Sequence, residues 1–186
     1  RPPVIPTRRD YKDSDGYVYV QNVYEGTHMK DVKPGSVKFL RVVESPEKRT
    51  WTEPGWNGQG VERPGMSWHD FNNKRILGTV PVEADGSASF ALPSDRFVYL
   101  QLIDKDGMMI QSMRSGMMAQ SNEWIGCVGC HDERCAAPPA MTNKNLLALQ
   151  RAPSRLEGWH GPPRMFNYRT DVQPVFDKNC VQCHDY

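Results

Sequence analysis

Several shortages in this chain narrow its function before any motif is considered. Its 23 Lys and Arg are balanced by 22 Asp and Glu, for a formal net charge of +1. There is no basic excess to grip a polyanion, and nucleic acid is not expected as a partner. No apolar run approaches the roughly 18 residues that cross a bilayer, so no transmembrane segment is expected. A secretory leader is missing as well. No Ser-His-Asp pattern, phosphate-binding loop or paired-carboxylate arrangement stands out, and His69-Asp70 and Asp104-Lys105-Asp106 read as turn chemistry. Only 38% of the residues are hydrophobic, whereas Gly and Pro number 15 each. That composition suits a loop-rich β protein, and 186 residues leave room for one ordinary domain plus a smaller module.

Cysteine is also scarce. Four of the five cysteines nevertheless fall in two pentads of one form, Cys127-Val128-Gly129-Cys130-His131 and Cys180-Val181-Gln182-Cys183-His184. This spacing is the attachment signature of c-type haem. Each thiol adds across one porphyrin vinyl group, and the adjacent histidine, His131 or His184, is then held under the iron as its proximal ligand. Two covalently bound haem c groups are expected, with porphyrin supplying part of the core. Other uses of these cysteines fit worse. Zinc-ribbon knuckles are usually about 15–20 residues apart, far less than the distance from Cys130 to Cys180. A thioredoxin-like dithiol needs a βαβ context that does not precede Cys127. A disulfide framework leaves Cys135 odd. Because c-type haem is attached after export, a leader is expected to have preceded the chain, and the compartment is expected to be the periplasm or an equivalent exported one. The opening Arg1-Pro2-Pro3-Val4-Ile5-Pro6 reads as a linker, which suits a segment of a longer protein.

The first two thirds read as strands. Residues 17–24 and 36–43 are rich in β-branched and aromatic residues and are bounded by Gly and Pro. Residues 77–84 and 87–92 are expected to form a hairpin across Asp85-Gly86, and 97–103 and 108–113 another across Asp106-Gly107. The expected fold is mainly β: an antiparallel β-sandwich over residues 1–120 with a long loop at 51–73, then a small, mostly α-helical and loop region over 121–186 that binds both haems. Within that region Thr142 is expected to cap a short helix through Asn145, Leu146, Leu147 and Leu149. Asp171 is expected to cap another, with Val172, Val175, Phe176 and Cys180 on one stripe. Nothing after Tyr186 covers the second haem, so other chain segments or subunits are expected to complete it.

Three runs carry a resemblance. Ile76-Leu77-Gly78-Thr79-Val80-Pro81-Val82-Glu83-Ala84-Asp85-Gly86-Ser87-Ala88, then Gln111-Ser112-Met113-Arg114-Ser115, then the first pentad, resemble the middle domain of the hydrazine synthase alpha subunit and its relatives in planctomycete-type bacteria. Residues 171–184 resemble the start of the cytochrome c domain that follows in that architecture, usually after a preceding β-propeller. The resemblance implies a periplasmic or anammoxosome-type compartment and redox chemistry of small molecules. In that family the motif histidine of the middle-domain haem turns to zinc, and a tyrosine four positions later binds iron. Here that position is Cys135. Three arrangements follow from the resemblance: an ordinary His131 haem with Cys135 as a small buried residue, a haem ligated by the Cys135 thiolate, or a His131/Cys135 metal site that makes zinc possible.

Further ligand candidates are His160, beside Trp159 and a Gly-Pro turn, and Met141, in a Pro-anchored loop. His28 and His69 read as surface or core histidines, and Met108, Met109, Met113, Met117 and Met118 as fillers of irregular core space. The favoured reading is an electron-transfer dihaem cytochrome whose partner is a redox protein or a further cytochrome domain. The alternatives are a haem oxidoreductase acting on small nitrogen compounds at the first haem, with the second as relay, and a haem sensor module.

Overall fold

A computed structural model describes residues 15–46, 74–130, 145–158, 162 and 164–184. The long loop expected at 51–73, with His69, lies outside them, as do Thr142 and the candidate ligands His131, Cys135, Met141 and His160.

The chain is mainly β. Eight strands run in order: β1 (Asp15–Val20), β2 (Phe39–Glu44), β3 (Arg75–Pro81), β4 (Ala88–Pro93), β5 (Val98–Ile103), β6 (Met109–Ser112), β7 (Trp124–Cys127) and β8 (Arg164–Met165). A single turn of 3-10 helix spans Leu147–Leu149, a π-helical turn spans Tyr168–Val172, and α1 spans Gln173–Asn179. The strands form two sheets, ordered β4-β1-β7 and β6-β5-β2-β3-β8. Pairing is antiparallel throughout except between β1 and β7, which run parallel.

Alternation along β1 explains the sandwich. Val18 and Val20 point inward and are 0% and 2% exposed, while Tyr17 on the other face stacks on Trp124 of β7 with ring centroids 4.9 Å apart. Val18, Phe90 and Leu92 from one sheet and Leu40, Val42 and Val98 from the other are all fully buried in one cluster. At about 25 cal/mol per Å2 of apolar surface, this shared layer holds the sheets face to face. One charge is buried with it. Glu44, at the end of β2, accepts from Arg75 Nε at 2.6 Å and from Arg96 Nη1 at 3.2 Å, so both carboxylate oxygens have a cationic partner.

Of the two expected hairpins, β5–β6 forms, with Gly107 at φ +82°. The Asp85-Gly86 turn also forms, with Gly86 at φ +81° and its N–H donating to Glu83 O at 2.9 Å. The strands on either side of it do not pair, however: β3 joins the five-stranded sheet and β4 crosses to the other. The dipeptide encodes a chain reversal but not the partner of each arm. The difference is made by β4, most of which is buried on both faces and pairs along its whole length with β1.

The expected helix near residue 145 is also corrected. Leu146 and Ala148 are buried while Leu147 and Leu149 are 41% and 45% exposed, an alternation that does not make an α-helical stripe, and the segment forms only one 3-10 turn. Tertiary bonds hold the segment instead: Leu147 N–H donates to Asp85 Oδ2 at 3.0 Å and Ala148 N–H to Ser87 Oγ at 3.1 Å. Burial alone would raise the Asp85 carboxyl, but the bonds from Ser87 and Leu147 outweigh it and hold that group below its usual range. At the C-terminal end Asn167, not Asp171, caps the helical stretch, its Oδ1 accepting from Arg169 N–H at 2.9 Å. Asp171 reaches back to accept from Asn167 N–H at 2.8 Å, the reciprocal half of a capping box.

Candidate haem-binding site

Among the described residues, the two sheets are closed along one side and open along the other. On the closed side the strap after the 3-10 turn bonds to both sheets. Ala91 N–H donates to Ser154 O and Ser154 N–H to Ser89 O, both at 2.9 Å, while Thr79 N–H donates to Glu157 O at 2.8 Å and Glu157 N–H to Thr79 O at 3.0 Å. Gly78 permits that approach, since a Cβ on it would lie 2.4 Å from Glu157 O.

On the open side the edge strands β6 and β7 leave a cleft of about 560 Å3 between the sheets. Val20 and Cys127 line it from one sheet, and Leu100, Leu102 and Met113 from the other. The first pentad begins inside β7 and continues along its wall. Gln21 N–H donates to Cys127 O at 2.9 Å and Asn22 N–H to Val128 O at 3.1 Å, so the ladder with β1 runs on into the motif. Gly129 lets the wall lie close to the preceding turn, because a Cβ there would fall 2.5 Å from Glu25 O. Both thiols pack against the rim of the core. Burial, with a smaller contribution from Cys127, pushes the Cys130 thiol up to about 12. A thiol so raised is neutral at physiological pH, the opposite of a reactive redox dithiol.

The second pentad has a different setting. Cys180 ends α1, its N–H donating to Phe176 O at 2.8 Å, and Cys183 and His184 N–H donate to Cys180 O at 3.1 and 3.0 Å. One tight turn therefore gathers Cys180, Cys183 and His184. The expected apolar stripe lies open, with Val175 56% and Phe176 44% exposed, and no residue of α1 is buried among the described residues. Arg164 anchors the unit, donating to Asp171 Oδ1 and Oδ2 at 2.6 and 2.8 Å. Hydrogen bonds from Arg164 and then Asn167 hold the Asp171 carboxyl at about 2.

Among the described residues no group of three or more His, Cys, Asp or Glu is placed to hold a metal ion, and no helix is long and apolar enough to cross a membrane. The methionines expected to fill the core divide. Met113 and Met117 line the cleft, whereas Met108, Met109 and Met118 are 67%, 52% and 48% exposed. Sequence reasoning gave no part in the site to Met113, Met117, Arg114 or the flanking Ser112 and Ser115. The available signals were that they continue a hairpin strand and that residues 111–115 form one of the runs carrying the family resemblance, but a sheet edge is invisible in a strand's own pattern.

A model of the hydrazine synthase alpha subunit middle domain matches residues 35–132, more than half of the chain. The chain belongs to that family. Its sequence is 24% identical over 220 residues to hydrazine synthase subunit alpha of Kuenenia stuttgartiensis, covering 87% of this chain and 27% of that protein. Its fold matches Kuenenia stuttgartiensis hydrazine synthase with a TM-score of 0.68 at 20% identity, over 94% of this chain and 30% of the other. The chain thus spans less than a third of the length of these relatives, and at this identity the structural likeness speaks for the fold alone.

Proposed function

We propose that this chain is a haem-bearing segment of a hydrazine synthase-like oxidoreductase acting on small nitrogen compounds. In this reading one haem c is held covalently by Cys127 and Cys130 in the cleft, and a second by Cys180 and Cys183 relays electrons. The observation that carries the reading is the cleft itself, an opening of about 560 Å3 in the family's fold with both motif cysteines on its wall.

The residues present fit the group. Val20, Leu100 and Leu102 supply apolar cover for a flat macrocycle, and Met113 and Met117 add polarizable side chains. The β1–β7 ladder fixes the backbone at Cys127 and Val128, so the attachment point is held by a sheet rather than a mobile loop. Cys127 and Cys130 would hold the haem as thioethers, and burial keeps the Cys130 thiol raised to about 12. When bound, the haem supplies a redox-active iron. His131 is the proposed proximal ligand, with the Cys135-ligated and zinc-binding arrangements as variants of the same site. His184 is the proposed ligand at the second, and His160 and Met141 remain proposed sixth ligands. Exposure of Val175 and Phe176 beside Cys180 supports a covering segment or subunit there, and the name of the Kuenenia relative describes that protein as one subunit. Covalent haem supports an exported compartment.

A dihaem electron carrier is the second reading, supported by the exposed second motif. Carbon monoxide separates the two. With the full chain matured by a haem c-attaching host, the denatured polypeptide is expected to carry the mass of two haems. One of the two ferrous spectra is expected to shift on adding the gas. Two gas-insensitive haems would favour the carrier, and colour extracted by acid-acetone would sink both readings.

A further inference from the structure

The cleft is lined by only one charged side chain among the described residues, Arg114, which directly follows Met113 beyond the end of β6. Its position at the cleft sets it apart. Arg75, Arg96, Arg151, Arg155 and Arg164 each face a carboxylate of this chain. No described residue forms an ion pair or hydrogen bond with Arg114, and among the described residues no Asp or Glu lines the cleft. Arg114 is exposed at the lip of an apolar opening with a fork of donors that no described residue uses, so the site is suited to a bidentate anion.

Cys127 and Cys130 stand on the β7 wall, while Arg114 belongs to the segment that continues the facing edge strand, β6. A haem attached through its two vinyl positions on one half of the ring directs its two carboxylate side arms away from that half. Ser112 and Ser115 flank Arg114 along the same lip and add hydroxyl donors. We propose that Arg114 is the anion-anchoring residue of the first haem, pairing with its carboxylate arms on the lip opposite the thioether bonds. This inference rests on the reading of the cleft as a haem site. Arg114 acts there as a positioning residue. It keeps the carboxylates ionised through the neutral range, fixes the tilt of the ring in the cleft, and places a fixed positive charge near the iron. That charge favours the reduced state.

The test is a redox titration of the full dihaem chain between pH 5 and 8, comparing the unaltered protein with Arg114→Gln and Arg114→Lys. Intact mass is recorded on each sample. For Arg114→Gln two haems should remain attached, because the thioethers are untouched. One of the two redox waves should move to lower potential and become pH-dependent as its carboxylates begin to titrate within the range. The other wave should stay in place, and Arg114→Lys should restore most of the potential. Two attached haems with both waves and their pH profiles unchanged in Arg114→Gln would overturn the assignment of Arg114 while leaving the haem site intact. Absence of haem from Cys127 and Cys130 in the unaltered protein would overturn the reading of the cleft and this assignment together.

Discussion

The two long sides of the sandwich meet the same problem in opposite ways. Where β4 and β3 lie near each other, the residue 154–157 strap bonds to both and the Asp85-Gly86 turn crosses between the sheets. Where β6 and β7 face each other, Val20, Leu100 and Leu102 line a cleft that no described residue fills. Backbone hydrogen bonds can lace an edge whose core is already full, since they need only an extended partner at the right distance. They cannot fill volume. An apolar slot left open loses the packing contacts that hold the rest of the core, so it calls for a filler of matching chemistry. Among the described residues Cys127, in β7, and Cys130, just beyond it, stand at that slot.

The contrast can be broken most severely at the open side. Replacing Cys127 and Cys130 with Ala should reduce the first site from one covalent haem to none, with the second unaffected, as read by the intact mass of the denatured chain. Retention of both haem masses would show that the cleft is not an attachment site. The closed side should fail by loss of packing instead. Phe90 is completely buried in β4, and Phe90→Ala should cost about 3–5 kcal/mol in denaturant unfolding without releasing either haem. A cost below about 1 kcal/mol would mean that the strap, rather than the core, holds that side.

A smaller effect isolates the strap. Gly78 sits at φ +154° with Glu157 O where a side chain would go. Gly78→Ala should cost about 1–3 kcal/mol, with amide exchange rising first at Thr79 and Glu157. Uniform protection loss across both sheets would instead show that the strap and the core open together. The smallest effect belongs to the C-terminal unit. The Asp171 carboxyl is lowered to about 2 in the folded chain and sits near 3.9 when unfolded. Its contribution is therefore fully present above about pH 4 and is lost as pH falls through about 2. A carboxyl titration by NMR should find that low midpoint, and Arg164→Gln should raise it toward the ordinary range. An unchanged midpoint in Arg164→Gln would assign the shift to the Asn167 N–H.

Much of this was legible in the residues. The β-branched and aromatic residues of 17–24 and 36–43 marked strands because such side chains fit a pleated surface, and strands form at Asp15–Val20 and Phe39–Glu44, the first ending four residues earlier than expected. The Asp-Gly pairs marked turns because Gly accepts positive φ, as Gly86 and Gly107 do. The cysteine spacing pointed to a cofactor because thioether attachment has one geometry. The Asp171 cap was misplaced by a few residues because Asp171 accepts from the N–H of Asn167, whose own side chain accepts from Arg169 N–H, and either residue can look like the start when read alone.

By itself, then, the sequence determined the local terms: which segments extend and where the chain reverses. Those follow from φ/ψ preference and from covalent reach, which act within a few residues. Only the tertiary structure decided that β3 and β4 belong to different sheets, that the 154–157 strap closes one side, and that Arg114 and Met113 share a cleft with Cys127. Those outcomes depend on which apolar faces bury one another. That free energy is summed over the whole core, and no stretch of chain carries it alone.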